Sequence, residues 1–336
     1  MPNNSFTNNS VFMELLRMQR ASMSPRRRKA TQKQPMKPWL YPYSIERQYT
    51  KQIKAFMQTI TDRMTWEIKN NLERWIYEYA LSQGRVDADI RVDIFPDEFR
   101  NLGDGTKKYV LDLLKNNNIR LMVTNIGMNT SDVNLKQWIK LTKGPIGMEF
   151  VPIESWETDV IAAWGETNYN LISTLPEEYI RKVNTLVSEG VQYGKTSQGM
   201  LEEMKKITDT FTKARPELIA RDQVGKLNGA LTQKRQEEAD IDMYIWMTSN
   251  DERVRGKPGG RYPNAIPSHW IMQGKICRWD DPSVYSEDGI NWKSRTSSMP
   301  SGHPGSAILC RCTAIPYFKN LIKKIDDEQI NESTIR

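Results

Sequence analysis

The stretch from Ala214 to Pro316 constrains the fold most, because its pattern changes from helical to extended and back to loop sequence within one segment. It opens with polar sequence whose apolar residues recur at helical spacing to about Ala239. Tyr244 to Met247 is a short apolar run typical of a strand, and Ala307 to Thr313 is a second candidate strand that ends near Pro316. A long helix followed by short strands and a long Gly- and Pro-containing loop predicts an α+β domain here.

The same stretch contains every histidine and cysteine of the chain, namely His269, Cys277, His303, Cys310 and Cys312. Tetrahedral zinc prefers thiolate and imidazole ligands. The two histidines with Cys310 and Cys312 therefore form a candidate structural zinc site, in which Cys277 could replace one ligand. On a strand, residues two apart point to the same face, so both thiols of the Cys310–Cys312 pair could reach one ion. The alternative is that the cysteines are buried small apolar residues and the histidines hydrogen-bond to the backbone.

Several short motifs follow one another along this part of the chain. They are LIARDQ (218–223), KLNGAL (226–231), YIWMTSNDERVR (244–255), SH (268–269), GK (274–275), WDDP (279–282), HPG (303–305) and CRC (310–312). Their order resembles the C-terminal domain of the phage Mu F-like minor head proteins, the head morphogenesis family. That family has a helix with an IAR(D/T) core, a strand ending in DER, a histidine, an HP pair and a terminal CRC. Residues 164–214 also resemble the family, so the resemblance covers roughly the second half of the chain.

The chain departs from the family pattern at four places. Many members carry Cys-x-x-Cys directly after the DER turn, where this chain has Arg253-Val254-Arg255-Gly256. Gln273 replaces the usual aspartate before Gly-Lys. Two insertions, KPGGRYPNAIP and GINWKSRTSSMPSG, lengthen the loops before the two histidines. These departures bear on a shared metal site more than on the fold.

Five charged residues of the motifs are expected to have structural roles: Arg221, Asp222, Asp251, Glu252 and Arg253. An aspartate at a turn commonly accepts hydrogen bonds from backbone N–H groups, and we expect this of Asp251. We expect Arg221 to reach a carboxylate of the DER turn and so tie the helix to the strand. Neighbouring residues of a helix do not face each other, so Arg221 and Asp222 have separate partners.

The remaining charges of this region allow two interpretations. Arg253 and Arg255 are expected to pair with Glu252, or with Asp280 and Asp281. The competing interpretation is an enzyme, a metal-dependent nuclease or other DNA-processing enzyme, that would use Asp251, Glu252 and His269. It requires carboxylates that converge on a cleft with a base or a metal, and nothing in the spacing demands this.

Basic residues are concentrated at the N-terminus. Residues 1–40 contain eight Lys or Arg and one acid, a net charge of +7 that equals the net charge of the whole chain. Such basic arms commonly contact nucleic acid or an acidic partner. The candidate phosphate-binding cluster is Arg26, Arg27, Arg28 and Lys29. The alternative is a solvated tail in which these charges serve solubility. The short VFMELLRM segment is a candidate helical anchor that docks on another protein.

We predict four regions. Residues 1–40 are a basic arm, disordered or ordered by a partner; 41–150 are a helical N-terminal region; 151–323 are the Mu F-like domain, a helical bundle plus a small sheet; and 324–336 are a polar tail. The first half is mostly helical, with a long helix from Ile45 to about Gln83. Shorter elements are predicted as strands at 87–95 and 119–123 and as helices at 107–114 and 133–141. The fold class is therefore α+β.

The resemblance implies a minor head protein that acts by binding rather than catalysis. Its expected partners are the portal protein, other head proteins and packaged DNA, and its expected location is the virion head, with the host cytoplasm during assembly. No sequence window approaches the roughly 18 apolar residues of a membrane span. An N-terminus without a signal-peptide pattern and an odd number of cysteines predict an intracellular protein with reduced thiols. No cofactor is expected apart from the candidate structural zinc.

Overall fold

The fold is known from a computed structural model, which describes residues 8–24, 26, 28, 38–82, 84, 102–116, 118–146, 151–152, 154–318, 322–323 and 325–327. The α-helices in this part of the chain are α1 (Asn8–Ser22), α2 (Tyr43–Ser82), α3 (Asp104–Lys115), α4 (Asn118–Ile146), α5 (Glu157–Ser173), α6 (Leu175–Gln192), α7 (Ser197–Asp209) and α8 (Arg215–Glu237). The strands are β1 (Met243–Met247), β2 (Ile276–Arg278), β3 (Val284–Ser286), β4 (Trp292–Ser294) and β5 (Thr313–Pro316). The predicted α+β class is confirmed. Among the described helices, none has both the length and the apolar character needed to cross a bilayer.

The chain forms two compact units that are not the sequential regions predicted above. Unit 1 comprises Met1–Ile45, Gly127–Ile161 and Arg221–Arg336, and unit 2 comprises Glu46–Ile126 and Ala162–Ala220. The boundaries fall inside α2, α4, α5 and α8, so composition and loop signals do not mark them.

The sheet belongs to unit 1 and has the strand order β4-β3-β2-β1-β5, with antiparallel neighbours throughout. β1 is central, and it pairs with β2 through Tyr244 and Cys277 and with β5 through Trp246 and Ala314. The strands are only three to five residues long, and loops connect them.

Both faces of this sheet are buried at β1, because successive residues of a strand point to opposite faces and its three central residues are all buried. Ile245 of β1 and Ile315 of β5 pack into one core with apolar residues of α1, α4 and the C-terminal segment. Tyr244 and Trp246 of β1 point to the other face, where they pack with Cys310, Cys312 and other residues of the loops. The sequence predicted β1 correctly. It placed the start of the last strand too early, at Ala307, whereas β5 begins at Thr313, after both cysteines, and ends at Pro316 as expected.

The N-terminal segment is not the arm predicted for residues 1–40, at least over 8–22. These residues form α1, whose Phe12, Met13 and Leu16 are buried in the core of unit 1. α1 is thus ordered by its own chain, and the prediction of an anchor for another protein is wrong for its buried face. The tail prediction is wrong at Ile325 and Asp326, because both are buried.

A buried polar network lies between α4 and α8 in unit 1. The Arg235 guanidinium has no exposed surface and donates to both carboxylate oxygens of Glu154, at 2.6 and 2.5 Å. It also donates to Asn134 Oδ1 at 2.6 Å, and Asn134 in turn donates to Asn228 Oδ1 at 3.0 Å. Asn228 of the KLNGAL motif therefore makes a polar contact inside the core. A buried charge is tolerated only when it is paired in this manner.

Unit 2 is helical in the residues that the structure describes. The apolar residues that recur along the predicted long helix are largely buried in α2. They include Ile53, Ile60 and Ile68. The Glu67 carboxylate of α2 accepts hydrogen bonds from the backbone N–H groups of Gly103 and Thr106 at the start of α3, at 2.9 and 3.0 Å. A carboxylate at a helix N-terminus satisfies N–H groups that have no partner within the helix.

The two strands predicted for the first half of the chain have different outcomes. The strand predicted at 119–123 is wrong, because these residues lie in α4. The local alternation of apolar residues there is also compatible with one turn of an amphipathic helix, so its short length misled the prediction. The strand predicted at 87–95 lies outside the described residues.

Candidate functional site

The CRC segment lies in a loop that packs on α8. Gly305 has φ of 90° and Leu309 has φ of 58°, so the loop turns through left-handed backbone at two points before β5. Glycine adopts that conformation without steric cost, which explains the glycine of the HPG motif.

Two glycines of α8 allow the loop to approach the helix backbone. A Cβ atom added at Gly225 would lie 2.6 Å from the carbonyl oxygen of Cys310, and one added at Gly229 would lie 2.6 Å from that of Pro304. Both contacts are with backbone atoms, which cannot rotate away as a side chain can. Gly229 lies within the KLNGAL motif, but no role was predicted for either glycine. Their spacing of four residues, which places both on one helix face, was the available signal.

Asp222 ties α8 to the same loop. Its Oδ1 atom accepts a hydrogen bond of 2.9 Å from the backbone N–H of Leu309, and its Oδ2 atom accepts one of 2.7 Å from Lys226. The aspartate of the LIARDQ motif therefore holds the residue in left-handed conformation directly before CRC. The expected contact of Arg221 with the DER turn stays a prediction, and the contact that Asp222 makes runs to the CRC loop.

The arginine of CRC pairs with the aspartate of DER. Arg311 Nη2 lies 2.7 Å from Asp251 Oδ2, and the Arg311 side chain is only 8% exposed. The hydroxyl of Tyr43 lies 3.3 Å from Arg311 Nη1 and 3.4 Å from Asp251 Oδ2. Asp251 Oδ1 also accepts a hydrogen bond of 2.9 Å from the backbone N–H of Arg253, as expected for a turn aspartate. The ion pair between Arg311 and Asp251 was not predicted, because the CRC and DER motifs lie far apart in the chain.

The other expected ion pairs of this region are wrong. Glu252 pairs with Arg261, at 2.8 Å, and both side chains are more than half exposed. Asp280 pairs with Arg278 rather than with Arg253 or Arg255. A backbone hydrogen bond of 2.6 Å from the N–H of Arg261 to the carbonyl oxygen of Glu252 holds the first pair together, and Arg278 lies two residues before Asp280.

Three of the four candidate zinc ligands lie together. His269 Nδ1 is 3.4 Å from Cys312 Sγ and 3.5 Å from Cys310 Sγ, and the ligand atoms of the three residues all lie within 4.8 Å of one another. All three side chains are buried. A cavity of about 30 Å³ adjoins them, lined also by Ser249, Leu309 and three arginines. It is large enough for one water molecule or one ion but not for an organic substrate.

The backbone around His269 fixes its position. Its N–H donates to the carbonyl oxygen of Arg255 at 3.0 Å, and its ring lies edge-on to Trp246 at 6.0 Å between centroids. The Arg255 guanidinium donates to the carbonyl oxygen of Ile308. Arg255 therefore links the histidine to the loop that carries the cysteines.

His303, the fourth candidate ligand, lies elsewhere. Its Nδ1 atom is 3.0 Å from the hydroxyl of Tyr244, and its ring packs against Trp279 at 5.0 Å between centroids. Burial lowers the pKa of His303, and the nearby Arg295 lowers it further. Cys277, the proposed substitute ligand, is also outside the cluster, and burial raises the pKa of its thiol. The two-histidine, two-cysteine set is thus corrected to one histidine and two cysteines.

The two thiols of the cluster differ in acidity. A hydrogen bond from Cys312 lowers the pKa of Cys310 well below its usual value, and His269 and the N–H of Gly305 act in the same direction. The pKa of Cys312 is raised by its hydrogen bond to Cys310 and by burial. Cys310 is therefore the first of the pair to become a thiolate.

The candidate phosphate-binding cluster is only partly described. Arg26 is exposed, whereas Arg28 donates to the carbonyl oxygens of Met23 and Ala21 at 3.2 and 3.1 Å. Arg27 and Lys29 lie outside the described residues. One charge of the predicted basic arm is neutralised within the protein, because the buried Arg20 pairs with Asp326.

Comparison with known proteins agrees with the motif order. The family model described as Phage Mu protein F like protein matches residues 181–315. The chain is 32% identical over 163 residues to an uncharacterized protein of Haemophilus influenzae strain Rd, a match that covers 48% of this chain and 30% of that protein. No solved structure matches the chain. The resemblance is confirmed: residues 181–315 carry a domain of the phage Mu F-like family, and this chain spans less than a third of the relative's length.

Proposed function

We propose that this protein is a structural minor head protein of a phage, which associates with the portal protein and acts in head assembly and in genome packaging or delivery. The observation that carries the proposal is the Mu F-like domain at residues 181–315. The partners are the portal and other head proteins, and the location is the virion head after assembly in the host cytoplasm.

The contacts of the motif residues support binding rather than catalysis. Asp222 of the LIARDQ motif and Asp251 of the DER turn both contact the CRC loop. Each contact joins segments that are distant in sequence. A domain held together in this manner is suited to presenting a fixed surface to a partner.

The alternative, a metal-dependent nuclease at the same residues, has less support. His269 faces two sulfurs, Asp251 faces Arg311, and Glu252 is an exposed partner of Arg261. These three groups therefore face different partners, whereas hydrolysis requires them to converge on one substrate.

Quantitative mass spectrometry of purified mature particles and of precursor heads tests the proposal. We expect a low copy number in a fixed ratio to the portal protein in both samples. Heads from a phage that lacks the gene should fail to mature or to deliver DNA, and wild-type complementation should restore them. Absence of the protein from both mature and precursor heads would contradict the proposal.

A single substitution separates the nuclease from the structural protein. Glu252→Gln removes a motif carboxylate whose ion pair is mostly exposed, so the fold should survive. We expect normal complementation by this variant. A DNA-cleaving activity of the wild-type protein that this variant loses, with unchanged unfolding, would favour the enzyme.

A second candidate activity is DNA binding by the basic N-terminal residues, favoured by their excess of positive charge. Truncation does not test it, because α1 supplies core residues such as Phe12 and Leu16. Substitution of Arg26, Arg27 and Lys29 by glutamine is preferable, since it retains Arg28 and its backbone contacts. The slope of log K against log salt should then fall in magnitude by about three, if all three side chains contact phosphates. An unchanged slope would remove DNA from the list of partners of this cluster.

A further inference from the structure

The His269–Cys310–Cys312 cluster has the ligand types and the spacing of a zinc site. Zinc–nitrogen and zinc–sulfur bonds of about 2.0–2.1 and 2.3 Å in a tetrahedron place the nitrogen and sulfur ligands about 3.5 Å apart. The two separations from His269 Nδ1 are 3.4 and 3.5 Å. Both nitrogen–sulfur separations therefore match those of a tetrahedral zinc site.

We infer that His269, Cys310 and Cys312 bind one zinc ion, or another thiophilic divalent cation, with a water molecule as the fourth ligand in the adjoining cavity. The ion would join the segment after the DER turn, which carries His269, to the CRC segment before β5.

The surroundings of the cluster suit thiolate ligands. The N–H of Gly305 points at Cys310 Sγ, at a distance of 3.4 Å. Backbone N–H groups that donate to ligand sulfurs orient and stabilise them in metal sites. Two thiolates neutralise the charge of a divalent ion, so the bound state would carry no net charge inside the core. The cavity of about 30 Å³ has room for one water.

The histidine ring can present a nitrogen to the ion. Its Nδ1 atom contacts the two sulfurs, and its Nε2 atom is buried without a hydrogen-bond partner among the described residues. Metal binding by Nδ1 therefore competes only with the weak contacts to sulfur.

The chain offers matched controls for every ligand. Cys277 is a third buried cysteine outside the cluster, and His303 is a second histidine outside it. The test uses the full-length protein, reduced and freed of metal with a chelator, then incubated with Zn²⁺ and passed over a desalting column. Elemental analysis should give about one zinc per chain for the wild type, Cys277→Ser and His303→Gln. Cys310→Ser and Cys312→Ser should each retain at least about tenfold less zinc.

Two further measurements keep the test decisive if a ligand variant fails to fold. Co²⁺ added to the wild-type protein should give the absorption bands of a tetrahedral ion with thiolate ligands. Alkylation of the wild-type protein, mapped by mass spectrometry, should become slower at Cys310 and Cys312 when Zn²⁺ is present and stay unchanged at Cys277. Substoichiometric zinc, or protection that is equal at all three cysteines, would overturn the inference. So would a Cys310–Cys312 disulfide in reductant-free protein that retains no metal.

Discussion

The Arg20 guanidinium donates two hydrogen bonds to the Asp326 carboxylate, from Nε to Oδ1 at 2.7 Å and from Nη2 to Oδ2 at 2.6 Å. The pair joins helix α1 to a residue 306 positions later in the chain, and the arginine side chain is fully buried. A two-pronged pairing of this kind combines charge with a planar geometry that only arginine and a carboxylate supply. The ion pair therefore links helix α1 to the last described residues of unit 1.

Asp326→Asn should therefore destabilise unit 1 strongly. The substitution leaves the buried Arg20 charge without its counter-charge, and breaking one partner of a buried ion pair costs about 3–5 kcal/mol. Urea unfolding followed by fluorescence measures the free energy of unfolding. The control is Asp327→Asn, because Asp327 is adjacent but exposed, and its loss should cost less than about 0.5 kcal/mol. Equal effects of the two substitutions would contradict the structural role of the pair.

The Asp251–Arg311 pair predicts a second large effect. Asp251→Asn leaves Arg311, which is almost buried, with a weakened partner, so we expect a loss of about 1.5–3 kcal/mol. Glu252→Gln, at the next position, removes a mostly exposed pair and should cost at most about 1 kcal/mol. A double-mutant cycle with Arg311→Met should return a coupling energy well above the error, since the two side chains are in direct contact. Additive losses would show that the pair contributes nothing as a pair.

The sequence predicted the secondary structure of the second half better than its contacts. Helical periodicity and the apolar run at Tyr244 to Met247 are local signals, and the corresponding elements were confirmed. The partner of Asp251 was not local. A turn aspartate has several arginines within reach in sequence, and only the fold selects Arg311 over Arg253.

The N-terminal segment shows a different limit of the same reasoning. Phe12, Leu16 and Arg20 recur at four-residue steps, so Arg20 lies on the apolar side of α1. Such an arginine requires a buried carboxylate, which was a usable signal. Net charge obscured it, since counting Arg20 with the arm assumed that the charge was solvated. The prediction of the candidate zinc ligands had the same limit. Residue types selected four candidates, and only the path of the loops separates His303 from the other three.

The glycines of α8 predict an effect opposite to that of helix propensity. Alanine at Gly225 or Gly229 would place a Cβ 2.6 Å from a carbonyl oxygen of the CRC loop, so we expect a net loss of about 1–3 kcal/mol. Gly165 in α5 is the control, because its added Cβ would meet only the Val123 side chain, at 3.8 Å. Gly165→Ala should stabilise the protein by up to about 1 kcal/mol. Thermal unfolding of the three variants distinguishes close approach from propensity, and stabilisation by all three would contradict the packing.

The half-buried His303 predicts a pH dependence of stability. Burial and Arg295 lower its pKa in the folded protein, whereas in the unfolded chain the pKa is about 6.5. The unfolded state therefore binds more protons just below pH 6.5, so the contribution of His303 is complete above that pH and declines as the pH falls through it. His303→Gln removes this titration, and the stability of the wild type relative to the variant should decrease from about pH 8 to about pH 5. Tyr244→Phe removes the hydroxyl that contacts the imidazole but keeps the histidine. The Tyr244→Phe substitution should change stability without abolishing the pH dependence. A pH profile of His303→Gln that is parallel to that of the wild type would contradict a neutral, half-buried His303.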